Sequence, residues 1–211
     1  MRLEMQKSWA SKNVNWLIAG GFVLAIGVVA VVYRSKLKSL AKESLGGYKW
    51  FNEGLAWYRD SQTKNIVNTL HPKFRDKVKE FFSRVEKDLG LQMYATSGLR
   101  TFEEQAALKK ENSSNASPGL SGHNYGFSVD VNVIDKNGKI ILKKASTSAE
   151  WEKSGVVKIA KDMGFKWGGA GQFGSYHDPV HFFIEPDGKS TQQLLALHNG
   201  GKVDGQGYVI V

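Results

Sequence analysis

The sequence predicts an α+β fold. Helical and strand-like segments come in runs, without the regular strand-helix-strand rhythm of a parallel sheet. Two neighbouring strand patterns, "FSVDVNVID" and "KIILK", flank an Asn137-Gly138 dipeptide and read as an antiparallel hairpin with a two-residue turn. A length of 211 residues, 41% of them hydrophobic and 11% aromatic, allows one domain with a real core plus an appendage.

The appendage comes first. A short basic segment, residues 1–13, precedes "VNWLIAGGFVLAIGVVAVVY", residues 14–33, which carries no charge and only Asn15 as a strongly polar member. At about 1.5 Å per residue this run spans roughly 30 Å of hydrocarbon, so it is expected to be a transmembrane helix. Trp16 and Tyr33 stand near its ends, where amphipathic rings prefer the interface. Lysines and arginines flank both sides, so charge leaves the orientation open. A cleaved signal peptide is the rival reading. Its apolar region normally runs about 7–15 residues, and the best small-residue cleavage site here, around Val28 and Ala30, falls inside the run. Residues 34–60 read as a tether with a short aromatic, amphipathic stretch, and residues 61–211 as the folded domain.

Within that domain, "HPKFRDKVKEFFSRVEKDLG" places Phe74, Val78, Phe81, Phe82, Val85 and Leu89 at helical spacing, with Pro72 near the start and Gly90 at the stop. "LQMYATSG" alternates as a strand, "RTFEEQAALKKE" reads as a helix, and "NSSNASPGLSG" is a loop. After the hairpin, "SAEWEKSGVVKIAKDMG" reads as one amphipathic helix, and "HFFIEP" as a last strand behind a glycine-rich loop.

The composition excludes several chemistries. With no cysteine there are no disulfides, thiolate metal sites or Cys nucleophiles, so any metal must be held by His, Asp or Glu. The formal charge of +9 is concentrated in residues 1–46. No lysine and arginine run with interleaved aromatics suggests a nucleic-acid groove, and the charge suits anionic lipid headgroups or wall polymers, or else is a set of solvated lysines.

Of five histidines, two lie in contexts suited to a shared polar site. His123 precedes a strand in "SGHNYGFSVDV"; His181 opens another, three residues after Asp178. If "FSVDV" pleats, Asp130 is a lone carboxylate on the strand's polar face, and Gly126 lets the backbone bend to bring His123 to the same side. Two imidazoles and one carboxylate with an open position form the ligand set of a catalytic zinc, and Asp178 is placed as the unbound carboxylate that shuttles protons. The spacing by itself favours a hydrogen-bonded structural histidine and a solvated aspartate over a metal site.

Four ordered segments, "SGLRTFEEQ" (97–105), "PGLSGHNYGFSVDV" (118–131), "GFKWGG" (164–169) and "DPVHFF" (178–183), resemble the zinc peptidases of peptidoglycan, a family of D-Ala-D-Ala carboxypeptidases, dipeptidases and L-alanyl-D-glutamate endopeptidases of bacteria and phages. "NTLHPKF" (68–74) is similar to the endopeptidase branch in particular. The resemblance implies a compact antiparallel-sheet zinc peptidase domain of the hedgehog and D-Ala-D-Ala peptidase type. It implies one Zn²⁺ held by His123, Asp130 and His181, with Asp178 as catalytic base and Arg100 steadying the oxyanion. Ser97, Gln105 and Ser121 match substrate-cleft positions. Ser128 departs from the alanine common at its place.

The function so implied is hydrolysis of the L-Ala to D-Glu bond of the stem peptide by a membrane-tethered enzyme whose peptidase domain faces the cell wall. A D-Ala-D-Ala carboxypeptidase and a non-catalytic wall-binding module on the same fold are the alternatives. His177 is read as solvent-facing or in contact with substrate, His71 as a helix-start residue, His198 as surface, and Trp167 as cleft floor or packing.

Overall fold

Phe74, Val78, Phe81 and Val85 recur at three- and four-residue spacing, and in the computed structural model they form the buried face of helix α2 (Pro72–Leu89). His71 caps its start, Nδ1 accepting from the Lys73 backbone N–H at 3.1 Å. Pro72 follows, where a missing N–H costs nothing. Gly90 ends the helix in the left-handed conformation, φ 64°. Each of those four buried side chains contributes about 1.5–3 kcal/mol, which makes α2 a major support of the sheet it packs on.

The structure describes residues 45–174 and 176–211, with side chains from residue 55 onward. The expected membrane segment, 14–33, and the basic segment before it lie outside the described residues. Among the described residues no helix is long and apolar enough to cross a membrane.

Helix α1 (Leu45–Asn68) precedes α2, and after it come β1 (Gln92–Ser97), α3 (Phe102–Glu111), a 3₁₀ turn (Gly122–Tyr125), β2 (Ser128–Ile134) and β3 (Ile140–Leu142). The chain continues through α4 (Ser148–Lys153), α5 (Val156–Asp162), β4 (Lys166–Trp167), β5 (His181–Phe183) and α6 (Thr191–Asn199). The strands form one antiparallel sheet in the order β1-β2-β5-β4, with β3 also paired to β2. The expected α+β class is therefore what the described residues adopt, within a unit spanning Leu55–Val211.

The local detail departs from the sequence reading in four places. The boundary drawn at residue 60 falls inside α1, because the last turns of that helix dock on β1. The Tyr94 hydroxyl donates to the Gln62 side chain, the Ala95 N–H donates to Thr63 Oγ1 at 3.1 Å, and Val67 is buried. The hairpin turn is wider than two residues: Asp135 and Lys139 close it, the Asp135 N–H donating to the Lys139 carbonyl at 2.9 Å, and Gly138 takes φ 74°. The Asp135 carboxylate accepts from the backbone N–H groups of Asn137 and Lys139, both at 2.9 Å, and so stabilises the wider loop.

The single helix expected over 148–163 is two, α4 and α5, broken at Gly155, whose φ of 85° no helix interior accommodates. The break lets Trp151 on one piece and Val156, Val157 and Ala160 on the other all bury. Helix α6 was not expected at all, although Ser190 and Gln193 form the capping box that marks its start.

Gly126 ties the 3₁₀ turn to β2 with φ 71°, and a Cβ there would stand 2.5 Å from the His71 backbone nitrogen. Gly126→Ala is expected to cost at least about 1–2 kcal/mol from the left-handed backbone alone, read as a lower urea midpoint with unchanged slope.

Candidate metal centre

Strand β2 alternates. Val129, Val131 and Val133 point into the core, and Asp130 emerges on the other face. Register then selects its neighbours: Asp130 is the cross-strand partner of His181 on β5 and of Ser97 on β1. His123 arrives from the 3₁₀ turn, which Ser121 caps by accepting from the His123 N–H at 3.4 Å. The turn sits tight on the strand, because a Cβ on Gly122 would lie 2.2 Å from Ser128 Oγ.

Three side chains that the sequence separates by up to 58 residues thus meet. His123 Nε2 is 3.3 Å from Asp130 Oδ1 and 3.2 Å from His181 Nδ1, and His181 Nδ1 is 2.9 Å from the same Oδ1. Both imidazoles are buried. Donors bound tetrahedrally to one cation at about 2.0–2.1 Å stand about 3.3 Å apart, so the triangle is close to one face of such a site.

Protonation points the same way. His123 Nδ1 lies 2.7 Å from the Gly98 carbonyl, which can only accept, so Nδ1 carries the proton and a neutral ring turns its Nε2 lone pair toward the Asp130 carboxylate. A backbone carbonyl in this position is the usual support for a metal-ligating histidine. Two lone-pair donors facing one another at 3.3 Å repel unless a proton or a metal cation lies between them, and the set fits a divalent ion. Burial works to raise the Asp130 carboxyl, but positive charge at this spot, which in the metal-free cluster only a protonated His123 or His181 can supply, prevails and holds it well below the usual carboxylate range.

Asp178 stands on the loop before β5, its side chain 15% exposed. Its Oδ1 is buried without a hydrogen-bond partner, as an acid awaiting a further group would be. Burial, and then the charge of Asp130, push its carboxyl up, while Lys144 opposes the shift from 3.6 Å. Arg100 lies 4.0 Å from Asp130 Oδ2, and its guanidinium donates to Ser97 Oγ at 2.9 Å and to Gln105 Oε1 at 2.8 Å. Gln105, 2% exposed, also donates to the Ala116 carbonyl at 2.7 Å. Ser97 and Gln105, expected at the cleft wall, therefore meet Arg100 and orient it, and Ser121 meets the His123 turn.

These groups border a cleft of about 580 Å³. Sequence reasoning missed Lys144, Tyr176 and Asn115 on its wall, since no motif flags them. Trp167 is packing, not floor: it is buried and its indole N–H donates to the Pro179 carbonyl at 2.8 Å. His177 is exposed, His71 caps α2, and His198 is an exposed residue of α6 whose ring lies 4.9 Å from that of Phe102.

Adding Zn²⁺ to metal-free protein is expected to raise the thermal midpoint, by linkage worth about 2.7 kcal/mol at a hundredfold excess over Kd. Asp130→Asn and His181→Ala should each abolish the rise in calorimetry. A rise unchanged in both variants would place the ion elsewhere.

Residues 114–184 match a family described as D-alanyl-D-alanine carboxypeptidase, a stretch that contains His123, Asp130, Asp178 and His181. The peptidoglycan L-alanyl-D-glutamate endopeptidase CwlK of Bacillus subtilis (strain 168) is 31% identical over 118 residues, 51% of this chain and 70% of that protein. Among solved structures, the L-Ala D-Glu endopeptidase ChiX of Serratia marcescens aligns with a TM-score of 0.45 at 19% identity, over 61% of this chain and 91% of that one. VanYB in complex with D-alanine-D-alanine aligns with a TM-score of 0.43 at 19% identity, over 62% and 78%. On the extent of its identity with CwlK, the chain belongs to the family of zinc peptidoglycan peptidases that unites D-Ala-D-Ala carboxypeptidases with L-alanyl-D-glutamate endopeptidases.

Proposed function

We propose that this chain is an L-alanyl-D-glutamate endopeptidase, cutting the amide between L-Ala and D-Glu in the stem peptide of peptidoglycan with one zinc ion held by His123, Asp130 and His181. The observation that carries the reading is the donor triangle, with an acid, Asp178, whose Oδ1 makes no hydrogen bond, lining the same cleft and a braced guanidinium, Arg100, against Asp130. Two imidazole nitrogens and one carboxylate oxygen suit zinc better than the all-oxygen preference of magnesium or calcium. The identity with CwlK supports this bond.

When bound, the ion would polarise the scissile carbonyl and make water acidic enough to attack near neutral pH. Asp178 takes a proton from the attacking water as its oxygen bonds to the carbonyl carbon. It then delivers that proton to the D-Glu nitrogen as the C–N bond breaks. Burial that raises the Asp178 carboxyl brings it nearer the proton affinity such a shuttle needs. Arg100, held by Ser97 and Gln105, is pre-aimed to donate to the carbonyl oxygen as its negative charge grows. Residues 14–33 would anchor the enzyme, with the peptidase unit on the outer, wall-facing side, where this substrate lies.

A D-alanyl-D-alanine carboxypeptidase is the second reading, favoured by the description of the matching family. It uses the same residues, and mass spectrometry of defined muropeptides digested by the full chain separates the two: new L-Ala carboxyl and D-Glu amino ends support the endopeptidase, and loss of only a terminal D-Ala overturns it.

Asp178→Asn is expected to lower kcat by about 10²–10⁴ while the protein still binds one metal ion by metal analysis. Full activity in this variant would remove Asp178 from the chemistry, whereas no hydrolysis by the metal-loaded wild type would favour a wall-binding module. Because Asp178 must be ionised to accept a proton and its carboxyl is raised, kcat/KM should fall on acidification through a pH above the ordinary aspartate value of about 3.9. A rate profile flat down to that value would contradict the assignment.

A further inference from the structure

Lys144 belongs to none of the motifs that carry the family resemblance, yet it stands on the cleft wall beside Asp178. The backbone around it is fixed just after β3: the Ser146 N–H donates to the Lys143 carbonyl at 2.9 Å, the Lys143 N–H donates to Ser146 Oγ at 3.2 Å, and the Trp151 indole donates to the Lys143 carbonyl at 3.3 Å. From there its Nζ reaches to 3.6 Å from Asp178 Oδ1. Tyr176 flanks the ammonium, with its ring centroid 5.7 Å from Nζ and its hydroxyl 3.4 Å away, and that hydroxyl donates to Asn115 Oδ1 at 3.2 Å.

An ammonium has three donors. Here the contact with Asp178 is longer than a hydrogen bond, the one with Tyr176 is long, and the side chain is 63% exposed on the cleft wall. Lys144 is thus held beside the proton-carrying acid with donors unspent and open to the cleft.

The leaving nitrogen must come to Asp178. A carboxyl on the α-carbon attached to that nitrogen has its oxygens only about 3 Å from the nitrogen. Any residue that leaves with a free α-carboxylate therefore brings this anion to the place where Lys144 points. A D-glutamate joined onward through its side-chain carboxyl has such a group, and so does a terminal D-alanine.

We propose that Lys144 is a specificity-determining residue that binds the free α-carboxylate of the leaving-side residue, so that the enzyme selects stem peptides with D-glutamate over those whose α-carboxyl is amidated. The assignment rests on the peptidase reading of the cleft. It adds to that reading which chemical form of the substrate is accepted. Arg100 serves the scissile carbonyl from against Asp130, and Lys144 serves the departing half from beside Asp178.

The test compares two synthetic muropeptides that differ only in the α-carboxyl of D-glutamate, free or amidated, with the full chain loaded with zinc. The wild type is expected to favour the free acid by about tenfold or more in kcat/KM, mainly through KM, as a charged hydrogen bond implies. Lys144→Met should bring the ratio close to one, and Lys144→Arg should largely keep it. As a readout independent of turnover, calorimetry with the product fragment that begins at D-glutamate should show the same loss of preference in Lys144→Met.

If Lys144→Met lowers kcat equally for both substrates and leaves their ratio unchanged, Lys144 acts only on the charge of Asp178 and the proposal is overturned. If the wild type cuts neither substrate at L-Ala to D-Glu but removes terminal D-alanine, the bond assignment fails instead. The same ratio, measured on peptides ending in a free or amidated D-alanine, then decides for or against Lys144.

Discussion

Placing a carboxylate between two imidazoles, out of bulk water, is costly unless charge and hydrogen bonds compensate it, and the architecture around Asp130 supplies that compensation. The residue sits on β2, hydrogen-bonded through the backbone ladder to a strand on either side, with His181 across one ladder and Ser97 across the other. Its position is therefore as rigid as the sheet. A slip of one residue in either register would exchange Asp130 for a core valine and dissolve the cluster.

The remaining groups are arranged by how much freedom their tasks allow. Those that grip and orient are locked: His123 by the Gly98 carbonyl, Arg100 by Ser97 and Gln105, and the 3₁₀ turn by its close approach to Ser128. Those proposed to meet the changing substrate, Asp178 and Lys144, stand outside the strands, on segments whose backbone is held by turns. Helix α2 and the buried valines of β2 carry the stability that this constellation does not provide.

Charge is distributed with similar economy. The charge of Asp130 disfavours ionisation of Asp178, and Arg100 and Lys144 are set against one carboxylate each, Arg100 at 4.0 Å and Lys144 at 3.6 Å. The two cations are not equivalent. The guanidinium is half-buried and braced, as suits an electrostatic fixture, and the ammonium is exposed on a flexible stem, as suits a ligand contact.

Much was legible from the residues in order. The alternation of "FSVDV" put Asp130 opposite the core, Gly126 announced the bend that returns His123, and the period of Phe74, Val78, Phe81 and Val85 described α2, because these are local consequences of pleat, φ and helical pitch. The Gly155 break and the wider Asp135 turn were misread because each depends on one backbone conformation that hydrophobic pattern does not encode. The tertiary structure alone decided that His123, Asp130 and His181 converge to within 3.3 Å, that Gly98 fixes a tautomer, and that Lys144 reaches Asp178. Strand register and loop trajectory are set by packing between distant segments, which spacing along the chain does not contain.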